Sequence, residues 1–226
     1  MPSKEYKTSL FIFRRDLRLP DNTGLNEAIK RSEKVIAFFN FDPVQVGSKN
    51  EYRSQNAIQF MIESLKELEK ECKKNKGRLY LFYGDTITTI SHIISKTKPD
   101  ALFLNYDYTP FSKKRDGAIK AVCKKKKIAF HQFHDLLLIG DPNCIMTGSN
   151  KPYGMYTPFL KKASDKKVAP PERLARGSFY TSQIEKSHTN SVFKKILKKE
   201  NPYIKVHGGR SNSLKILKTI KTQQKN

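Results

Sequence analysis

The sequence predicts an α/β fold, a Rossmann-like doubly wound sheet of five parallel strands followed by an extended C-terminal connector. Three observations carry that reading. Short apolar runs at 8–13, 35–41, 78–83, 101–106 and 128–133 are rich in β-branched and aromatic residues, as strands buried on both faces should be. Amphipathic helical patterns separate them at 23–31, 52–75, 86–97 and 113–125. After residue 133 the alternation stops, and prolines and glycines punctuate the chain. Right-handed crossovers then place helices on both faces of the sheet and leave ligand space beyond the carboxyl ends of the strands.

Taken in order, the first strand leads into the segment Phe13-Arg14-Arg15-Asp16-Leu17-Arg18 and then the first helix. The second ends on Asn40, Phe41 and Asp42, just before Pro43. The helix at 52–75 is the clearest, because Ile58, Met61, Ile62, Leu65, Leu68 and Cys72 recur at three- and four-residue steps while Lys66, Glu67, Lys70 and Glu71 face water; Gly77 stops it. The fourth strand ends on Asn105, Tyr106, Asp107 and Tyr108 before Pro110. At the fifth, side-chain alternation puts His131 and His134 on opposite faces, so no shared metal is expected there. Residues 1–134 are thus expected to form the α/β domain, 135–206 a connector, and 207–226 the start of something further, with a last helix at 211–221.

Composition bounds the function. The 226 residues carry 44 basic and 21 acidic side chains, a net charge of +23 that attracts polyanions, DNA or RNA first among them. Because most of the basic residues are Lys, a lysine-rich coding bias with a solvated surface explains the same excess. Charge runs at Lys113-Lys114-Arg115 and 124–127 read as solvated helix ends. With 37% hydrophobic residues clustered in the first 140 positions, the core is expected there and the remainder loosely packed. Cys72, Cys123 and Cys144 are odd in number and widely spaced, which excludes a disulfide framework and a zinc motif and fits packing roles. A soluble protein of a reducing intracellular compartment (cytoplasm, nucleus or a viral setting) is expected, since no apolar signal core and no run of ~20 apolar residues is present. Neither GxGxxG nor GxxxxGK[ST] follows a strand, and no Cys-His or Ser-His-Asp grouping suggests itself, so no catalytic residue is assigned.

The segment FIFRRDLRLPDNTGLNEA closely resembles the opening of the DNA photolyase and cryptochrome family. AFFNFDP, FMIESLKELEKECKK, LYLFYGD, LNYDYTPFSKKRDGAIKAV, FHDLLLIGDP and KPYGMYTPFLKKA follow in the family's order, and His207-Gly208-Gly209-Arg210 resembles the entry to its helical, flavin-binding domain. The resemblance implies the N-terminal, antenna-binding domain of a class I-like member, without the helical domain that holds FAD. FAD is therefore not expected in this chain, nor repair by the chain alone. The chain has no Trp, whereas flavin photoreduction in the family runs along a tryptophan chain.

What the resemblance leaves is a light-harvesting chromophore. A flavin or deazaflavin is favoured over a folate, because folate-binding relatives have an Asn-Glu pair where Phe111-Ser112 stand. For the anionic tail, Arg14, Arg15 and Arg18 offer paired hydrogen bonds, with Arg14 the first choice. For the rings, Phe13, Phe41 and Tyr106 are candidates. The strand-end loops that flank the family's pocket add Asn40, Asp42, Asn105 and Asp107. Competing structural readings are an Arg15–Asp16 ion pair fixing the loop, and Asn, Asp and Pro acting as turn formers. Thr157-Pro158-Phe159-Leu160, where many relatives have Trp in place of Leu160, hints at an interface with a partner. A separately encoded helical FAD-binding half is the partner expected, with DNA a second through the basic surface. The alternative is a stand-alone basic nucleic-acid-binding module, or a relic without chromophore.

Overall fold

A computed structural model describes residues 3–188 and 191–223. In chain order it runs β1 (Tyr6–Phe13), α1 (Thr23–Arg31), β2 (Ser32–Phe41), α2 (Pro43–Val46), α3 (Gln55–Lys74), β3 (Leu79–Tyr83), α4 (Thr86–Thr97), β4 (Ala101–Asn105), α5 (Pro110–Lys125) and β5 (Ala129–Phe133). These strands are all parallel, in the order β3-β2-β1-β4-β5. The order reverses between β1 and β4, the place where a doubly wound sheet opens a crevice at its carboxyl edge.

Alternation along each strand divides the core in two. Phe11, Phe13, Val35, Ala37, Phe39 and Phe41 face α1 and α3 and pack with Leu25, Ile62, Leu65 and Leu68. Leu10, Ile12, Ile36, Phe38, Tyr80 and Phe82 face α4 and α5 and pack with Ile90, Ile93 and Ile119. Both faces are buried, which is why the strands read as continuous apolar runs.

Element ends depart from the sequence reading where caps decide. Asp42 caps α2, a four-residue turn that the sequence reading omits, by accepting from Val44 N at 3.0 Å ahead of Pro43. Ser54 caps α3, so the helix starts at Gln55 and releases Tyr52 to solvent. Thr109 caps α5, which therefore begins at Pro110, three residues before the apolar pattern suggests.

The expectation of a loosely packed remainder is overturned. A short strand, β6 (Ser178–Phe179), pairs in parallel with Lys34 and Val35 of β2. Phe179, Ile184, Val192, Phe193, Ile196 and Leu197 are all buried, the last four on and just after α7 (Ser191–Ile196). The connector straps the sheet; Phe179 and Ile184 escape sequence detection as single apolar residues, and the stripe Val192, Phe193, Ile196 and Leu197 is short and interrupted by lysines. By contrast, α6 (Tyr156–Ser164) leaves Tyr156, Phe159 and Leu160 exposed.

α8 (Arg210–Gln223) is held at its start by α3: Gly208 N donates to Glu63 Oε2 at 2.7 Å, Gly209 N to Ser64 Oγ at 2.9 Å and Ser211 N to Glu67 Oε1 at 2.8 Å. A Cβ at Gly208 would overlap the Phe60 carbonyl oxygen, and Gly209 has a φ of +103°, so the Gly-Gly pair is what lets the chain approach α3. Burial pushes the Cys72 thiol up to about 12 and that of Cys123 to about 11, consistent with packing roles. Among the described residues no helix is long and apolar enough to cross a membrane.

Candidate functional site at the carboxyl edge of the sheet

The loop after β1 is locked by buried polar groups. Asp16 accepts the Arg14 N–H at 2.9 Å and a hydrogen bond from Asn105 Nδ2. Asn105, 3% exposed, also donates to Asn22 Oδ1 and accepts Gly24 N–H, each at 2.9 Å. A Cβ at Gly24 would collide with Asn105 Oδ1, so glycine is needed for the start of α1 to come this close to β4. The expected Arg15–Asp16 ion pair does not form. Arg15 instead places Nε 3.2 Å from Asp107 Oδ2 and keeps 65% of its side chain exposed.

Arg14 turns inward. Its Nη1 lies 2.5 Å from Asp116 Oδ1 and its Nη2 donates to the Asn105 carbonyl, so the first-choice phosphate ligand is taken by the protein itself. Asp116 is shared: Arg115 Nε lies 3.2 Å from the same oxygen, and Gln132 donates to Oδ2 at 3.0 Å. Arg18 pairs with Asp135 at 3.0 Å and donates to the Asp21 carbonyl. Two guanidiniums around one buried carboxylate leave a local positive excess. Burial and then the neighbouring Arg14 charge lower the Arg115 pKa. Burial raises the Asp107 pKa, but the Ser112 hydroxyl, the Thr109 N–H and the charges of Arg15 and Arg14 together leave it below its ordinary value.

Beside this frame lies a cavity of about 260 Å³. Ile12, Phe13 and Phe39 from strand ends, Val46 after β2, and Ile58 and Met61 from α3 make it apolar; Arg15, Asn40, Asp107 and Arg115 supply polar groups. Two of those groups are incomplete: buried Asn40 Oδ1 and Arg115 Nη2 have no hydrogen-bond partner among the described residues. Asn40 Nδ2 is held by the Gly84 carbonyl at 2.9 Å, which fixes the amide.

Of the sequence-derived candidates, Phe13, Arg14, Arg15, Asn40 and Asp107 line this cavity. Four do not. Phe41 is fully buried, its ring centroid 4.8 Å from that of Phe39 and 6.1 Å from Phe193. Asp42 caps α2 and accepts the Thr86 hydroxyl at 2.6 Å, Asn105 belongs to the lock, and Tyr106 lines a separate groove. The sequence reading misses Arg115, hidden in a charge run, and Ile58 and Met61, which share their helical stripe with core residues.

A doubly wound parallel sheet with a half-apolar cavity at its carboxyl edge places the chain among the α/β proteins whose fold leaves ligand space beyond the strand ends. The DNA photolyase family model matches residues 9–175, and the chain belongs to that family. It is 34% identical over 152 residues to the deoxyribodipyrimidine photo-lyase of Synechococcus sp., a match covering 67% of this chain and 31% of that one. The fold superposes on the archaeal photolyase from Sulfolobus tokodaii, described as having two FAD molecules and implying a novel light-harvesting cofactor, with a TM-score of 0.80, 38% identity and coverage of 93% and 46%. A Synechocystis cryptochrome shares the fold at a TM-score of 0.82 and 17% identity. The chain spans between about a third and a half of the length of these relatives.

Proposed function

We propose that this chain holds a light-harvesting chromophore with a flavin-type ring system in the 260 Å³ cavity, serving photolyase-type repair of DNA whose chemistry belongs to a flavin-bearing helical portion, whichever polypeptide carries it. The observation that carries the reading is the pair of buried atoms without a partner among the described residues, one acceptor and one donor, on residues that line a half-apolar cavity. A buried polar group without a partner costs about 1–3 kcal/mol. The pyrimidinedione edge of a flavin or deazaflavin carries both an imide N–H and carbonyl oxygens, which would satisfy Asn40 Oδ1 and Arg115 Nη2 respectively. Phe13, Phe39, Val46 and Met61 would flank the ring, and the exposed Arg15 would meet an anionic tail.

The bound chromophore would supply absorption of light and transfer of the excitation. The protein's part is to fix the ring, exclude water from its faces and leave the tail in solvent. The size supports a ring system rather than a whole buried dinucleotide, since sites enclosing drug-sized ligands run ~300–1,000 Å³.

Reconstitution tests this. Purified protein incubated with flavin mononucleotide, a deazaflavin or a methenyl folate, then desalted, is expected to retain one flavin-type chromophore per chain and no folate. Arg115→Ala is expected to weaken flavin retention about tenfold or more, the loss of one hydrogen bond to a charged group. Retention of none of the three, or equal retention by Arg115→Ala, would overturn the proposal.

A further inference from the structure

Tyr106 is expected, from the sequence, beside a chromophore; the structure sets it in a second space next to Asp107. There it lines a larger groove of about 440 Å³ with Tyr108, Lys113, Lys120, Gln132, His134 and Asn143. We infer that this groove binds an unpaired nucleoside phosphate, its base on the Tyr106–His134 rings and its phosphate on Lys113 and Lys120.

The groove has a rigid aromatic wall. The Tyr106 and His134 rings are stacked, with centroids 4.4 Å apart and an interplanar angle of 16°. The hydroxyl of Tyr108 and His134 Nδ1 are 2.7 Å apart, and their rings are inclined by only 5°, so the imidazole is held in plane before any ligand arrives. Among the described residues the hydroxyl of Tyr106 makes no hydrogen bond, and its ring position is set instead by the stack and by its backbone N–H on the Phe133 carbonyl at 2.8 Å. A flat wall whose order is already fixed suits an aromatic base, because little further freedom is lost on stacking.

The charges favour phosphate. Lys113 and Lys120, on one face of α5, make no ion pair among the described residues. Of the carboxylates at the groove, Asp107 pairs with Arg15 at 3.2 Å and Asp116 with Arg14 at 2.5 Å and Arg115 at 3.2 Å, while the exposed Asp141 lies 3.9 Å from His134 Nε2 beside the aromatic wall. An acidic peptide would satisfy the lysines and leave the rings unused. A nucleoside phosphate uses both, and the net charge of +23 favours its presentation on a polyanionic strand. A duplex, whose bases are stacked and paired, cannot reach the wall. This inference does not rest on the chromophore proposal, since the two spaces share Asp107 but differ in their rings and cations.

The test is fluorescence anisotropy of a labelled oligothymidylate and of its duplex with oligoadenylate, using the full chain, with thymidine monophosphate as competitor. The double reversal Lys113→Glu with Lys120→Glu is expected to cut single-strand affinity tenfold or more and to lower the salt slope by about 1.4, two contacts at ~0.7 each. Lys161→Glu with Lys162→Glu, on exposed α6, changes the net charge equally and is expected to cost much less. Tyr106→Ala is expected to lose about fivefold or more, and Tyr106→Phe to restore binding, as loss and return of a stacking face require. Thermal denaturation of each variant checks folding. If thymidine monophosphate binds as well as the strand, and with the same dependence on Tyr106, the ligand is a free nucleotide; if the strand binds far better, it is single-stranded nucleic acid. Equal losses from the two double reversals, or wild-type affinity in Tyr106→Ala, would overturn the inference.

Discussion

Replacing Asn105 by Ala separates its structural role from the chromophore contact expected of it. The side chain donates to Asp16 and to Asn22, and accepts Gly24 N–H, all within buried surroundings. Truncation leaves the Gly24 N–H unpartnered, at ~1–3 kcal/mol, and takes from Asp16 a hydrogen bond to a charged group, at ~1.5–3 kcal/mol. Asn22 Nδ2 already donates to Asp16 Oδ2 at 3.4 Å, a long bond that leaves Asp16 only weakly held once Asn105 is gone. The expected loss is about 3–5 kcal/mol, a large part of a typical ~5–15 kcal/mol stability. With a slope of ~2 kcal/mol per molar, the urea midpoint should fall by roughly 2 M at unchanged slope. Arg15→Ala, which removes a pair that is 65% exposed on the Arg side, should cost no more than ~1 kcal/mol. The reasoning fails if Asn105→Ala costs less than Arg15→Ala, or if its loss of stability disappears when a flavin is added in excess to both proteins.

Other outcomes follow from the same structure. Phe193→Ala should destabilise by about 3–5 kcal/mol in urea, because the ring is buried against Phe41 and anchors the connector; a loss below ~1 kcal/mol would return the connector to a loose tether. Burial, and then the Arg31 guanidinium, hold the His131 pKa below 6.5 against the opposing pull of Glu5. The unfolded chain therefore takes up this proton first, so the contribution is complete above pH ~6.5 and is lost as pH falls through the lowered folded value. His131→Gln should flatten the acid side of the stability profile in urea titrations between pH ~5 and ~8; an unchanged slope would place the titration elsewhere. Gly24→Ala should cost ~1 kcal/mol or more by thermal denaturation, as its Cβ meets Asn105; a neutral result would show that the lock can shift.

The sheet was legible because strands buried on both faces leave unbroken apolar runs, and Phe11 and Leu10 need no alternation with polar residues to serve opposite core clusters. The connector was not, because Phe179 reaches the core alone and the stripe Val192, Phe193, Ile196 and Leu197 spans little more than one turn in a Pro- and Lys-rich background. At the site, strand-end position was informative and residue type was not. Asn40 and Asn105 look alike in sequence, yet Asn105 has all its groups engaged in locking a loop while Asn40 has an idle oxygen at a cavity. Arg14 and Arg15 are adjacent, but one is drawn to the buried Asp116 and the other stays in solvent. Such distinctions depend on partners far along the chain, Asp16, Asn22 and Gly24 for Asn105 and Asp116, 102 residues on, for Arg14, and no local pattern contains them.

A flavin-type ring proposed for the cavity bounded by Asn40, Met61 and Arg115 needs the space beside the Met61 side chain. Calorimetric titration of flavin mononucleotide into the wild-type protein and into Met61→Trp, whose larger side chain would fill that space, tests it most directly. Saturable one-to-one binding by the wild type, lost in a Met61→Trp variant that unfolds at the same urea midpoint, is the predicted result. Equal binding by both folded proteins would contradict the assignment.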